Sequence, residues 1–119
     1  MSTEESQEFR RIYADALNYG FAALGKQISK IVNDYLFRKY KLSPIETYNN
    51  PRLLSEALEK SLGYGSVLVE TRIVRALRSS LSTPMESEPL PPRIRMGHPE
   101  DFEHYVYESL QLAQKKSEV

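Results

Sequence analysis

Two histidines and an aspartate lie close together near the end of the chain. His98, Asp101 and His104 follow one another at three-residue intervals, so Asp101 and His104 would share one face of a helix. Imidazole and carboxylate groups bind zinc, but a zinc site needs three or four converging ligands. The chain has only these two histidines and no cysteine. We therefore predict no metal site and no cofactor.

Nucleophilic catalysis in this chain would have to use a serine or threonine, since cysteine is absent. Such a hydroxyl needs a histidine base and an oxyanion hole. No serine lies in a nucleophile elbow or a phosphate-binding loop, and Gly63-Tyr64-Gly65 is typical of a helix stop. Acidic pairs such as Glu4-Glu5 and Glu100-Asp101 are typical of first helical turns. The sequence therefore predicts no catalytic residue and a protein that is not an enzyme.

Three arginines at three-residue intervals form a basic ridge on one predicted helix, and two lysines further back in the chain could extend it. Phosphate contacts require such a surface. Against this, 16 basic residues balance 16 acidic ones and the pI is near 6.7, whereas nucleic-acid-binding domains are usually basic. The interpretation that we favour for the ridge is a solvated helix face with local ion pairs, those of Glu70 to Arg72 and Arg75 among them. Nucleic-acid binding is therefore the second hypothesis, and its residues are Lys26, Lys30, Arg72, Arg75 and Arg78.

The elements that would position these side chains are predicted to form a small all-α bundle. From residue 4 to residue 40, apolar side chains recur at steps of three and four, as on one face of a helix. Gly20 interrupts the pattern, so either the helix breaks there or a neighbour packs closely against its backbone. We favour two helical segments, Glu4–Tyr19 and Phe21–Tyr40.

Two more helices are predicted on either side of a glycine-containing turn. Asn50-Pro51 is a typical helix start, and Gly63 is a typical residue just past a helix end. The next helix is predicted over Val67–Leu81. Because the turn is so short, the two helices should be neighbours. A chain of 119 residues forms one domain, and we expect residues 1–81 to be its helical body.

The end of the chain is predicted to be a tethered helix. Residues 82–98 contain four prolines and are expected to form an extended linker, and residues 99–119 an amphipathic helix. Its apolar stripe must be buried on its own body, on a second copy or in a partner's groove. We expect a chain truncated at Ser82 to fold but to lose an association. The predicted partner-binding residues are Phe102, Tyr105, Val106 and Leu110.

Self-association is the second part of this interpretation. Eight tyrosines and four phenylalanines are many for so small a core, and aromatic side chains are enriched at interfaces. The N-terminal helical region is apolar on more than one face, which is typical of helices buried on more than one side. Ala16, Gly20 and Ala23 would allow a second helix to approach closely. We therefore predict a dimer in solution.

Several helix-boundary residues add a family resemblance. Leu24-Gly25, Asn50-Pro51, Ala57-Leu58 and Leu62-Gly63-Tyr64-Gly65 stand in an order and spacing that resemble the archaeal Nitrosopumilus output domain family. The resemblance covers residues 21–81. It implies an all-helical module of an archaeal cytoplasm, with an output or interaction role, and it assigns no functional residues.

Composition completes the expectations from sequence. No apolar run approaches 18 residues, and residues 1–10 do not form a signal peptide, so we expect a soluble, cytoplasmic protein without a membrane partner. The favoured function is a non-catalytic protein–protein interaction or output module. Its partners would be a second copy, another protein, or both.

Overall fold

The computed structural model describes residues 3–81 and 92–117, with side chains for residues 7–81 and 92–113. Helices connected by short turns make up these ranges, which contain no strand. The prediction of a small all-α bundle is confirmed. The helices are α1 (Thr3–Ala22), α2 (Lys26–Tyr40), the 3-10 helix η1 (Pro44–Asn49), α3 (Pro51–Leu62), α4 (Gly65–Leu81) and α5 (Pro99–Ser117).

The break between the first two helices lies at Gly25 and not at Gly20. Gly25 has a φ of 83° directly before α2, a conformation that favours glycine. Gly20 lies inside α1, so the predicted boundary at this residue was wrong. The alternative, close packing, is what occurs. A Cβ at position 20 would lie 2.6 Å from Cγ1 of Ile73 and 3.3 Å from the carbonyl oxygen of Val69 on α4.

Local capping signals set the other boundaries. The Ser43 N–H donates to Glu46 Oε1 at 2.9 Å, which completes a capping box at the start of η1. Pro51 opens α3, and Gly63, with a φ of 59°, follows its last residue. The following helix begins at Gly65, two residues earlier than predicted.

The core lies where α4 packs against α1, α3 and α5. Tyr13 is fully buried, and its hydroxyl lies 2.8 Å from Oγ1 of Thr47 in η1. Because Thr47 donates its own proton to the Pro44 carbonyl, Tyr13 is the donor in this pair. Burial raises the pKa of the Tyr13 hydroxyl well above its usual value. This buried hydrogen bond joins α1 to the connection between α2 and α3.

The last helix is part of this core. Phe102 and Val106 of α5 are fully buried, and α5 packs against both α3 and α4. Ile94, in the segment leading to α5, is buried as well. Of the predicted linker, residues 82–91 lie outside the described residues, and residues 92–98 form an extended stretch followed by a turn. The described part of the tail thus belongs to the helical body.

We expect Gly20→Ala to lower the free energy of unfolding. Overpacking a filled core typically costs about 1–3 kcal/mol, while alanine in a helix gains at most about 1 kcal/mol over glycine. Gly20→Val should lose more, since its larger side chain meets the same neighbours. Urea unfolding measures both. The loss on Gly20→Ala should shrink in an Ile73→Ala background, which lacks the obstructing Cγ1, and an equal loss in both backgrounds would contradict the contact.

Removal of α5 should disrupt folding rather than merely abolish an association. A chain that ends at Leu81 lacks Phe102 and Val106, so we expect a lower melting temperature and a less cooperative transition by circular dichroism. Within the full chain, Phe102→Ala should cost about 3–5 kcal/mol. Leu112→Ala, at a site that is 39% exposed, should change stability by less than about 0.5 kcal/mol. An unchanged melting temperature in the truncated chain would refute this role.

Candidate interaction surface

The predicted partner-binding residues face this chain's own body. Phe102 and Val106 are buried, while Tyr105 and Leu110 are half-buried against the same core. The Tyr105 hydroxyl accepts a hydrogen bond from the Arg93 N–H at 2.9 Å. Of the three destinations considered for the stripe of α5, the structure shows the first. A partner could reach Phe102 or Val106 only after α5 had left the core.

Two of the three small residues proposed for self-association are also buried within their own chain. Ala16 and Gly20 are buried against α4 of the same chain. Ala23 is exposed in the turn that follows α1. Ala16 and Gly20 do allow a second helix to approach closely, as their size predicts, and in this structure that helix is α4.

The arginine ridge (Arg72, Arg75 and Arg78) is divided among different neighbours. The Arg72 guanidinium stacks 4.3 Å from the ring centroid of Tyr19, and its Nη2 donates to the Tyr19 carbonyl at 3.1 Å. That carbonyl belongs to the last turn of α1, where a cation also interacts favourably with the helix dipole. Arg78 lies over the ring of Tyr105 on α5. Of the three arginines only Arg75 is exposed, and the other two hold helices together.

The histidines and aspartate near α5 have separate partners. His98 Nδ1 lies 2.7 Å from Glu100, and His104 Nε2 lies 3.6 Å from Glu108. Asp101 accepts two hydrogen bonds from the Arg95 guanidinium, which holds the pKa of its carboxyl below the usual range. No group of three potential metal ligands occurs within the described ranges.

Glu70 is the residue whose position the sequence predicted least well. The interpretation of the ridge as a solvated helix face placed Glu70 on the surface beside arginines, but its side chain is only 3% exposed. It forms a hydrogen bond with Ser55 of α3 and lies near two other carboxylates, Glu59 of α3 and Asp101 of α5. Burial, with a smaller contribution from these like charges, raises the pKa of Glu70 to about 7.

Two clefts flank α4, and Glu70 is not among the residues that line either of them. The larger, of about 670 Å³, lies between α4 and residues 92–95, and the smaller, of about 400 Å³, lies between α1 and α4. Neither lining includes a histidine. A buried acid with a shifted pKa would indicate catalysis if a substrate could reach it, but the Glu70 side chain is buried and lines neither cleft. The linings include Thr71, Arg93 and Asp101 in the first cleft and Asp15, Tyr19 and Arg75 in the second.

The clearest unoccupied surface belongs to α2. The inner face of α2 packs on α3 through Val32 and Leu36, which are fully buried. A second set of apolar side chains, Ile28, Ile31 and Tyr35, follows at steps of three and four beside this inner face. Ile31 is 53% exposed, Ile28 is half-buried, and Tyr35 is half-buried against the edge of the core. We call these three residues the outward stripe. It agrees with the expectation that this region is apolar on more than one face.

Comparisons with known proteins give no match: no family model, no curated protein and no solved structure is similar to this chain. The resemblance to Nitrosopumilus output domains therefore stays a prediction. No helix in the described ranges is long and apolar enough to cross a membrane.

Glu70 makes the stability of the fold depend on pH in an unusual direction. Its folded pKa of about 7 lies above the ordinary value of 4.5, so protonation favours the folded state. The contribution is complete below pH 4.5 and is lost as the pH rises through 7, by about 3 kcal/mol in all. Carboxyls with a lowered pKa, such as Glu56 and Asp101, act in the opposite direction and at lower pH.

We expect Glu70→Gln to be more stable than the natural chain at pH 8 by up to about 3 kcal/mol, since the amide keeps the shape of the side chain and cannot ionise. The advantage should decline toward pH 4.5. Urea unfolding at several pH values measures it, with exposed Glu8→Gln as the control. A difference between Glu70→Gln and the natural chain that is constant with pH would rule out titration of Glu70 as the cause.

Proposed function

We propose that this protein is a non-catalytic interaction module that self-associates through the outward stripe of α2. The observation that carries the proposal is the exposure of Ile31 at the centre of an apolar row, on a helix whose other face is already buried. Large apolar groups in such a row are typical of surfaces that bind a partner. An output role in an archaeal cytoplasm, as implied by the family resemblance, is part of this proposal.

The spacing of the stripe suits a second copy of the same helix. Residues three and four apart lie on one face of a helix and form ridges that fit the grooves of another helix. In a twofold dimer the same surface is used by both subunits, so one self-complementary stripe is sufficient. Asp34 and Arg38, which border the stripe, carry opposite charges. Two copies that pair through the stripe would therefore not repel each other through a border of like charges.

Two features support a role without catalysis. The one strongly perturbed carboxyl among the described residues, Glu70, is enclosed by the core. Asp101, which lines the larger cleft, is held by Arg95 in an ion pair. A positioned acid–base pair with access to a substrate, as catalysis requires, is not found within the described ranges.

Sedimentation and light scattering of the full chain test self-association. We expect a mass that rises with concentration toward that of a dimer, and a shift to monomer in Ile31→Asp, because a buried charge would destabilise the interface. Leu68→Asp is the matched control, since Leu68 is an equally exposed apolar residue on α4. It should leave the dimer intact.

Two outcomes would contradict the proposal. A natural chain that is monomeric at every concentration would show that the stripe does not self-associate. A dimer that dissociates on Leu68→Asp but not on Ile31→Asp would place the interface on α4. Circular dichroism of both variants would establish that they are folded, since neither site is in the core.

A further inference from the structure

The side of α2 opposite the outward stripe carries a second pattern. Lys26, Lys30, Asn33, Phe37 and Lys41 follow one another at steps of four, three, four and four and are all exposed. At 3.6 residues per turn they form one row, which we call the lysine row, about 150° around the helix from the stripe. The row is about 22 Å long at 1.5 Å per residue.

An exposed aromatic ring with a cation beside it lies within this row. Phe37 is 60% exposed, and the ammonium of Lys41 lies 5.1 Å from the centroid of its ring. Lys41 has a φ of 59° and a ψ of 34°, a left-handed conformation that costs most residues roughly 1–2 kcal/mol and is usually taken by glycine. A lysine here ends the helix less favourably than glycine would, and it keeps a positive charge at the ring.

The electrostatic character of the row is uniform. The row contains three lysines and no acid, and within the described ranges none of the three forms an ion pair. The one acidic residue of α2, Asp34, lies between the row and the outward stripe, four residues after Lys30 and about 60° from the centre of the row. With four basic residues and one acidic residue, α2 carries a charge of +3, while the whole chain is neutral. The positive charge is thus concentrated on this helix.

We propose that the lysine row binds single-stranded nucleic acid. Lysines along a helix can contact successive phosphates, and an exposed ring such as Phe37 provides a surface on which an unpaired base stacks. A duplex would offer the phosphates but not the face of a base, so we expect single strands to bind more tightly. This site goes beyond self-association and uses a different face of α2. It retains Lys26 and Lys30 from the sequence hypothesis and replaces the arginines.

Fluorescence anisotropy of a labelled 20-residue oligothymidylate, titrated with the full chain, tests the site. Three phosphate contacts on a single strand predict a slope near −2 for the logarithm of the binding constant against the logarithm of salt concentration. Binding should therefore weaken about twentyfold between 50 and 200 mM salt. An absence of saturable binding at 50 mM salt would overturn the proposal.

Single substitutions separate the two kinds of contact. Lys30→Ala should reduce the magnitude of the salt slope by about 0.7, because one phosphate contact is lost. Phe37→Ala should weaken binding by roughly 5- to 150-fold, in line with the loss of one base–aromatic stack, while the slope stays the same. Arg75→Ala, at the exposed arginine of α4, is the control and should change neither quantity.

Four results would overturn the assignment. A slope that falls on Arg75→Ala and not on Lys30→Ala would place the contact on the arginine ridge. A duplex of equal length that binds as tightly as the single strand, or a polyglutamate that competes equally well, would show that only charge is recognised. Binding that is unaffected by Phe37→Ala would exclude stacking. Because these variants leave Ile31 intact, a failure here does not bear on self-association.

Discussion

The close approach of α1 and α4 at Gly20 is the contact on which the arrangement of the other helices depends. With no Cβ at this position, the backbone of α1 lies directly against the side chain of Ile73 and the carbonyl of Val69. At this distance Arg72 reaches the last turn of α1, where it binds the Tyr19 carbonyl and covers its ring. The guanidinium thereby satisfies a carbonyl that the helix itself leaves without a partner. The absence of a side chain at Gly20 thus sets the distance between α1 and α4, the two helices with the most extensive contact.

Once α1 covers one side of α4, the remaining helices have few places to pack. α3 and α5 cover the other sides of α4, and Phe102 and Val106 complete the core between them. α2 packs mainly on α3, so only one face of α2 is buried. A helix that packs mainly on one neighbour exposes much of the rest of its surface to solvent. This explains why both surfaces that we propose for binding, the outward stripe and the lysine row, lie on α2.

Features determined by local sequence were predicted well from the sequence, and features determined by distant contacts were not. The start of α3 at Pro51 and its end at Gly63 depend on residues a few positions apart. Gly20 illustrates the limit, because a glycine within a helical pattern looks the same whether the helix breaks there or packs closely. Which of the two occurs depends on Ile73, 53 residues further along the chain.

The same limit applies to the candidate site residues. An amphipathic helix after a proline-rich segment must bury its stripe, but the sequence does not show whether the surface that buries it belongs to its own chain. Nor does a glutamate beside arginines reveal that it faces inward. Glu70 is enclosed because its position on α4 lies between α3 and α5, a consequence of how three helices pack. The position of the Lys41 ammonium over the Phe37 ring also could not be predicted from the sequence, since Lys41 adopts a left-handed backbone conformation.

The orientation of α2 in turn depends on a polar contact at its C-terminal end. Glu56 of α3 accepts hydrogen bonds from Lys39 and from the Tyr40 hydroxyl, and both partners hold the pKa of this carboxyl below its usual value. Together with the burial of Val32 and Leu36, these bonds limit rotation of α2 about its own axis. A rotation of one residue, or about 100°, would carry the outward stripe and the lysine row to different neighbours. The Glu56 carboxylate and the buried side chains of Val32 and Leu36 therefore fix the rotation of α2 against α3. This rotation determines which way the outward stripe and the lysine row face.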